Sequence, residues 1–199
     1  MLKSRLCIAF FAFAVGCAPA QKPLTDYVNP MLGTATLWDS VDLGFKPTKR
    51  TWGAEVFPGS SLPNAMVQVS PVTKFHSGAG YQYEDSVIYG FTHTNKGHWN
   101  LCHIPLLPVT GTPTPGDYCS PFSHERESAA PGYYQVFLDR YGVDAQLSST
   151  LRCAFHKYTY PAGAAPAVLA DLQRSNEHVR AWDIRKEGDN VFAGWQQTG

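Results

Sequence analysis

The chain has 199 residues, 16 Lys+Arg against 16 Asp+Glu, and 44% hydrophobic residues, so it is sized for one domain or slightly more and is too apolar to be disordered. Formal neutrality and the lack of a basic stripe exclude the electrostatic footprint of a nucleic-acid binder. Scattered Gly (17) and Pro (15) fit many short strands joined by turns.

The N-terminus reads as an export address. Lys3 and Arg5 form a positive region, and the apolar run Leu6–Val15 is too short to span a bilayer. Two readings of the end of this signal stand side by side. Ala18-Pro19-Ala20 fits ordinary cleavage before Gln21, and Gly16-Cys17 fits a lipoprotein site with Cys17 lipidated. The expectation is a signal peptide over 1–20 and an exported protein: a periplasmic or outer-membrane lipoprotein, or a secreted one. Membrane contact on this reading is through the lipid alone.

Gln21 to Pro30 reads as a linker, and Met31 to Arg50 as irregular. Beyond Pro58 the pattern becomes period two with turn punctuation, which predicts strands. They are expected at Ala65–Ser70, Val87–Thr92, Ile104–Val109, Tyr133–Leu138, Val143–Leu147, Arg152–Tyr160, Ala167–Leu172, Val179–Arg185 and Val191–Trp195. Val143, Ala145 and Leu147 alternate with Asp144, Gln146 and Ser148, as in a sheet with one wet face. Turns are expected at Arg140–Gly142, Pro161–Pro166 and Glu187–Asn190. The fold class is all-β, an antiparallel β-sandwich. Gln197-Thr198-Gly199 reads as a turn, so a hairpin partner is expected to follow the last strand, and the domain over 21–199 is read as truncated.

Cys102, Cys119 and Cys153 remain outside the signal. An odd number allows one disulfide at most, and all three are expected to act as small buried hydrophobes. His93, His98 and His103 recur every five residues. That step matches no common helical ligand pair, and on a strand it points His98 away from the other two, so hydrogen-bonding histidines are expected rather than a metal site. Gly59-Ser60-Ser61 is not a nucleophile elbow, and Gly78-Ala79-Gly80 lacks the Lys and helix of a phosphate loop. The strongest local constellation is Gly90 to Asn100. Its indole, imidazole and amide groups suit a sugar, whose C–H face stacks on an aromatic ring while its hydroxyls take hydrogen bonds. A Trp packed under its own loop is the structural alternative. Glycosidase chemistry needs two facing carboxyls, and the spacing of Glu55, Glu84, Asp85, Asp117, Glu125 and Glu127 singles out no pair.

Seven ordered blocks resemble one family. Val28-Asn29-Pro30-Met31-Leu32-Gly33-Thr34 is similar to "VNPFIGT", and Phe57 to Pro71 to "FPGA-x-x-PFGMVQ-S-P". Gly80-Tyr81-Gln82-Tyr83 and Ile88 to Thr94 resemble "GY-Y" and "I-GFSHTH". Ser123-His124-Glu125 and Ala130 to Tyr134 resemble "FSHE" and "A-PGYY", and His156-Lys157-Tyr158 resembles "H-Y-F". The pattern is that of glycoside hydrolase family 92, the calcium-dependent exo-α-mannosidases, and it runs from about Tyr27 to Tyr160. The chain departs from it at Asn64-Ala65, where Phe-Gly is common, and at Lys96–Cys102, where many members are rich in Ser, Gly, Cys and Asp.

The resemblance implies an N-terminal sandwich of the galactose-mutarotase (supersandwich) type, followed in the family by an (α/α)6 barrel. It implies inverting removal of terminal α-mannose from glycans, with the acid, the base and most calcium (Ca2+) ligands on the barrel. This chain is then expected to hold no catalytic residue and to be inactive alone. It would contribute a pocket wall through His98, Trp99 and Asn100, supported by His93 and Thr94, with a mannose-containing oligosaccharide and the (α/α)6 domain as partners. Two further readings are a stand-alone carbohydrate-binding module, with Trp99 beside Trp38 or Trp52 as an aromatic platform, and a sandwich with no site.

Overall fold

The computed structural model describes residues 21–36, 55–96 and 99–199. The signal segment with Cys17, and Trp38, Trp52 and His98, lie outside them. Fifteen strands follow in chain order: β1 Ser60–Ser61, β2 Gln68–Val72, β3 Val87–Ile88, β4 Gly90–Thr92, β5 Asn95–Lys96, β6 Trp99–Asn100, β7 Leu106–Thr110 and β8 Ser120–Pro121. Then come β9 Glu127–Ala130, β10 Tyr133–Leu138, β11 Val143–Ser149, β12 Ala154–Thr159, β13 Pro166–Ala170, β14 Val179–Gly188 and β15 Val191–Thr198. Among the described residues the only helical turns are short 3-10 pieces at Leu24–Tyr27 and His124–Arg126, and no helix is long and apolar enough to cross a membrane.

Two antiparallel sheets carry the fold. One has the order β1-β2-β4-β7-β13 and the other β12-β11-β10-β9. The β10–β11 pair shows why they face each other. Register places Tyr134 opposite Leu147, Val136 opposite Ala145 and Leu138 opposite Val143. All six are buried, while the residues between them face outward. Period-two side chains thus put these six apolar residues of the pair on one face. That face meets Val69, Phe91, Leu107 and Val109 of the first sheet in a single core. A buried hydrogen bond between the hydroxyls of Ser60 and Ser149, 2.7 Å apart, ties β1 to β11 across the interior.

Strand positions follow the alternation closely where it is clean and drift where Pro and Gly break it. The stretch expected as one strand at Val87–Thr92 divides at Tyr89: β3 pairs with β8, and β4 joins the main sheet between β2 and β7. The last strand corrects one expectation: Gln197 and Thr198, read as a turn, belong to β15. β15 pairs with β14 through the expected turn, at Asp189-Asn190, with pairs running from Gly188/Val191 to Val179/Thr198. The cysteines give a second correction. Cys102, Cys119 and Cys153 are all free, and only Cys102 is buried, with Cys153 exposed at the turn before β12.

One close approach fixes the entry to the first sheet. A Cβ added at Gly59 would sit 2.0 Å from the Val69 carbonyl oxygen and 2.7 Å from the Ser70 Cα, both backbone atoms that cannot swing away. Gly59→Ala is therefore expected to push β1 off β2 at a cost of about 1–3 kcal/mol. Urea denaturation of the variant beside the parent measures it, and an unchanged midpoint would refute the contact.

Candidate functional site

The sequence between β4 and β7 folds into an arch at one end of the first sheet. β5 and β6 pair antiparallel, Asn95 with Asn100 and Lys96 with Trp99. His98, between them, lies outside the described residues. Trp99 is half-buried, so its indole is neither sealed in the core nor free in solvent. Asn100 is fully buried, and its amide is used internally. Its Nδ2 donates to the Thr92 hydroxyl at 3.1 Å, and its Oδ1 accepts the Cys102 N–H at 2.8 Å. Its backbone N–H donates to the Gly78 carbonyl at 2.8 Å. A side chain at Gly80 would meet Asn100 Nδ2 at 2.8 Å, and the Gly80 backbone has φ +78°, so the glycine leaves room for this amide.

Asn100 thus sits beneath the arch as its fastener. Thr94 has a related role: its carbonyl accepts the Leu101 N–H at 3.1 Å and its hydroxyl accepts the His103 N–H at 3.3 Å.

His93 faces the other sheet. Its Nε2 lies 2.7 Å from Nε2 of His156 on β12, and His156 Nδ1 lies 2.6 Å from the Tyr158 hydroxyl. One proton must lie between the two imidazoles, so at least one ring is neutral. Burial lowers the pKa of both. That of His156 falls to about 4, because burial is joined by repulsion from His93. The pair is a neutral hydrogen-bonded bridge between the sheets. The five-residue histidine step is accordingly resolved in space: His93 turns to β12, while His103 Nε2 lies 3.5 Å from the Glu177 carboxylate.

A second constellation went unnoticed in the sequence. The Glu127 side chain is 1% exposed and accepts from the Tyr81 hydroxyl at 2.9 Å and the Tyr134 hydroxyl at 2.6 Å. Its other oxygen lies 2.5 Å from His124 Nδ1, while His124 Nε2 lies 2.7 Å from the Tyr83 carbonyl. Both His124 ring nitrogens thus have an oxygen partner, and the buried carboxylate is closed over by the imidazole. The Tyr83 ring stacks on it at 4.0 Å. Burial, together with the Glu127 charge, raises the pKa values of Tyr81 and Tyr134 far above that of an ordinary phenol.

Other carboxylates are likewise bound to donors of their own chain. Glu84 accepts from Thr36, Asp85 from Thr73, Asp117 from Arg140 and Asp144 from Gln135. Among the described residues no group of three or more His, Cys, Asp or Glu is placed to hold a metal ion. A calcium cage of six to eight oxygens does not fit what these residues offer.

A model of the glycosyl hydrolase family 92 N-terminal domain matches residues 27–199. The chain belongs to glycoside hydrolase family 92. Among solved structures, this family 92 domain is similar to the α-mannosidase of Bacteroides thetaiotaomicron in complex with mannoimidazole. The identity is 28% and the TM-score 0.74, over 88% of this chain and 23% of that one. It is also similar to the family 92 glycosyl hydrolase ccman5, at 26% identity and TM-score 0.66, over 88% of this chain and 24% of that one. A third likeness is to the inverting mannosidase of Bacteroides thetaiotaomicron VPI-5482, at 27% identity and TM-score 0.58, over 76% of this chain and 20% of that one. The chain thus spans about a quarter of the length of the structures it matches. A comparison with curated proteins gives no match. All seven sequence blocks lie within the matched residues, and five of them supply residues of the two constellations: Gly80, Tyr81 and Tyr83, Thr92 to Thr94, His124, Tyr134, and His156 with Tyr158.

Proposed function

We propose that this chain is the pocket-wall, carbohydrate-contacting domain of an exported glycoside hydrolase that removes terminal α-mannose from glycans with inversion. The observation that carries the reading is the family match over residues 27–199, joined to a fold shared with an α-mannosidase in complex with mannoimidazole. Trp99, half-buried at the head of the arch, is the ring on which a sugar would stack, and His98 precedes it in the chain. Asn100, His93 and Thr94 act from beneath: their polar groups hold the arch and are not offered to a ligand.

This chain's part is to bind, orient and exclude water. The acid and base that inversion requires would come from the (α/α)6 domain of the same protein, because the carboxylates described above are held by their own chain. Calcium, on this reading, is also held by that domain. The β14–β15 ribbon supports such a partner: Trp182, Ile184 and Phe192 share one face by register and are 42–66% exposed, an apolar surface suited to being covered by another domain.

The test is an assay of the 199-residue chain and of the full gene product on α-linked mannosides, each with calcium and with chelator. Turnover is expected from the full product alone, and chelation is expected to abolish it. Activity on a different sugar class, or turnover by this chain by itself, would overturn the assignment.

A further inference from the structure

The arch that carries Trp99 is fastened from outside by one side chain far away in sequence. Asn176 follows β13 by six residues, yet its Nδ2 donates to the Asn100 carbonyl at 2.5 Å and its Oδ1 accepts the His76 N–H at 2.6 Å. Its own N–H donates to the Leu101 carbonyl at 2.9 Å, and the neighbouring Ser175 hydroxyl reaches the same carbonyl at 3.3 Å. Three chain segments, near residues 76, 100 and 176, thus meet on one amide.

The segments it joins are held in unfavourable backbone. His76 has φ 61°, Cys102 φ 52° and Ile104 φ 46°, and a β-branched residue in the left-handed region is a costly placement. Such conformations persist only where surrounding bonds over-determine them. Asn176 supplies bonds on both sides: to the His76 amide itself, and to the carbonyls just before Cys102. A helix or sheet ladder would satisfy these groups without it, but here the short strand β6 ends at Asn100 and no regular element continues.

We propose that Asn176 is a positioning residue: it fixes the Trp99–Asn100 strand against the His76 loop and so sets where the Trp99 ring stands. Its consequence for sugar affinity rests on the function proposed above; the positioning itself does not.

The experiment compares the parent full-length protein with Asn176→Ala and Asn176→Asp. It uses amide hydrogen exchange, the Trp99 indole NMR signal and calorimetric titration with an α-linked mannobiose. In Asn176→Ala the His76 amide is expected to exchange roughly tenfold faster and the Trp99 signal to shift, while the β10–β11 ladder keeps its protection. Mannobiose affinity is expected to fall about tenfold. Asn176→Asp keeps the acceptor for His76 and loses the donor to Asn100. It is therefore expected to restore His76 protection without restoring the Trp99 signal or the affinity, a split that a merely stabilising side chain would not give.

An unmoved Trp99 signal in both variants overturns the proposal, as does protection lost equally across β10–β11. If the parent protein binds no mannobiose, the functional reading falls. The exchange and indole measurements then still decide whether Asn176 holds the arch.

Discussion

Glu127→Ala is expected to lower stability by about 3–5 kcal/mol, since each buried hydrogen-bonding group left without a partner costs about 1–3 kcal/mol. The Glu127 carboxylate accepts from the Tyr81 and Tyr134 hydroxyls and is hydrogen-bonded to His124. Removing it strands two phenolic hydroxyls in the core and leaves His124 Nδ1 without its partner. Tyr81 and Tyr134 are fully buried, so neither hydroxyl can turn to water. The thermal midpoint should fall by roughly 2–4 °C for each kcal/mol lost. Glu127→Gln keeps one acceptor oxygen but places an amide donor among donors, so a smaller loss of about 1–3 kcal/mol is expected. Paired denaturant titrations of the three proteins measure this order, and a cost below about 1 kcal/mol for Glu127→Ala would mean that the network does not stabilise the sandwich.

The sandwich was legible in the sequence wherever alternation was unbroken. Tyr133–Leu138 is β10 to the residue, and Val143–Leu147 lies inside β11. Local pattern carries that information because period two fixes a face without reference to any partner. It fails for two-residue strands such as β1, β5, β6 and β8, which exist only because distant backbone is present to pair with them. The end of β15 was misread for a related reason. Gln197 and Thr198 carry no apolar alternation of their own, and pairing with Ala181 and Val179 holds them in the strand.

The site divides in the same way. Trp99 was singled out by residue type. The service of Asn100, His93 and Thr94 as fasteners could not be, because their partners Gly78, His156 and His103 are known only from the fold. Glu127 was one carboxylate among several in the sequence. Its burial is set by β9 lying beside β10, where Glu127 pairs with Val136. Asn176, in a stretch that reads as an ordinary polar turn, gave no local signal at all.

The bridge between His93 and His156 predicts a pH dependence with a definite sign. Both imidazoles are neutral in the fold because burial lowers their pKa values, that of His156 to about 4. In the unfolded chain each returns to about 6.5. Between these values the unfolded state binds more protons, so stability must fall as pH falls. The contribution is complete above about pH 6.5 and is lost as the pH drops through the folded value near 4. For His156 the loss over that window is on the order of 3 kcal/mol, since each pKa unit corresponds to about 1.4 kcal/mol. Protonation also breaks the bridge itself, because two imidazolium rings with Nε2 atoms 2.7 Å apart have no acceptor between them. β12 would then be released from the end of β4, the strand from which the arch springs. Urea midpoints taken between pH 7 and pH 5, above the range where most carboxylates titrate, isolate the effect. The parent is expected to lose stability steadily over that interval, and His156→Gln, which keeps a hydrogen-bonding group without a titrating ring, to lose markedly less. Parallel curves for the two proteins would show that the imidazole pair does not couple protons to the fold.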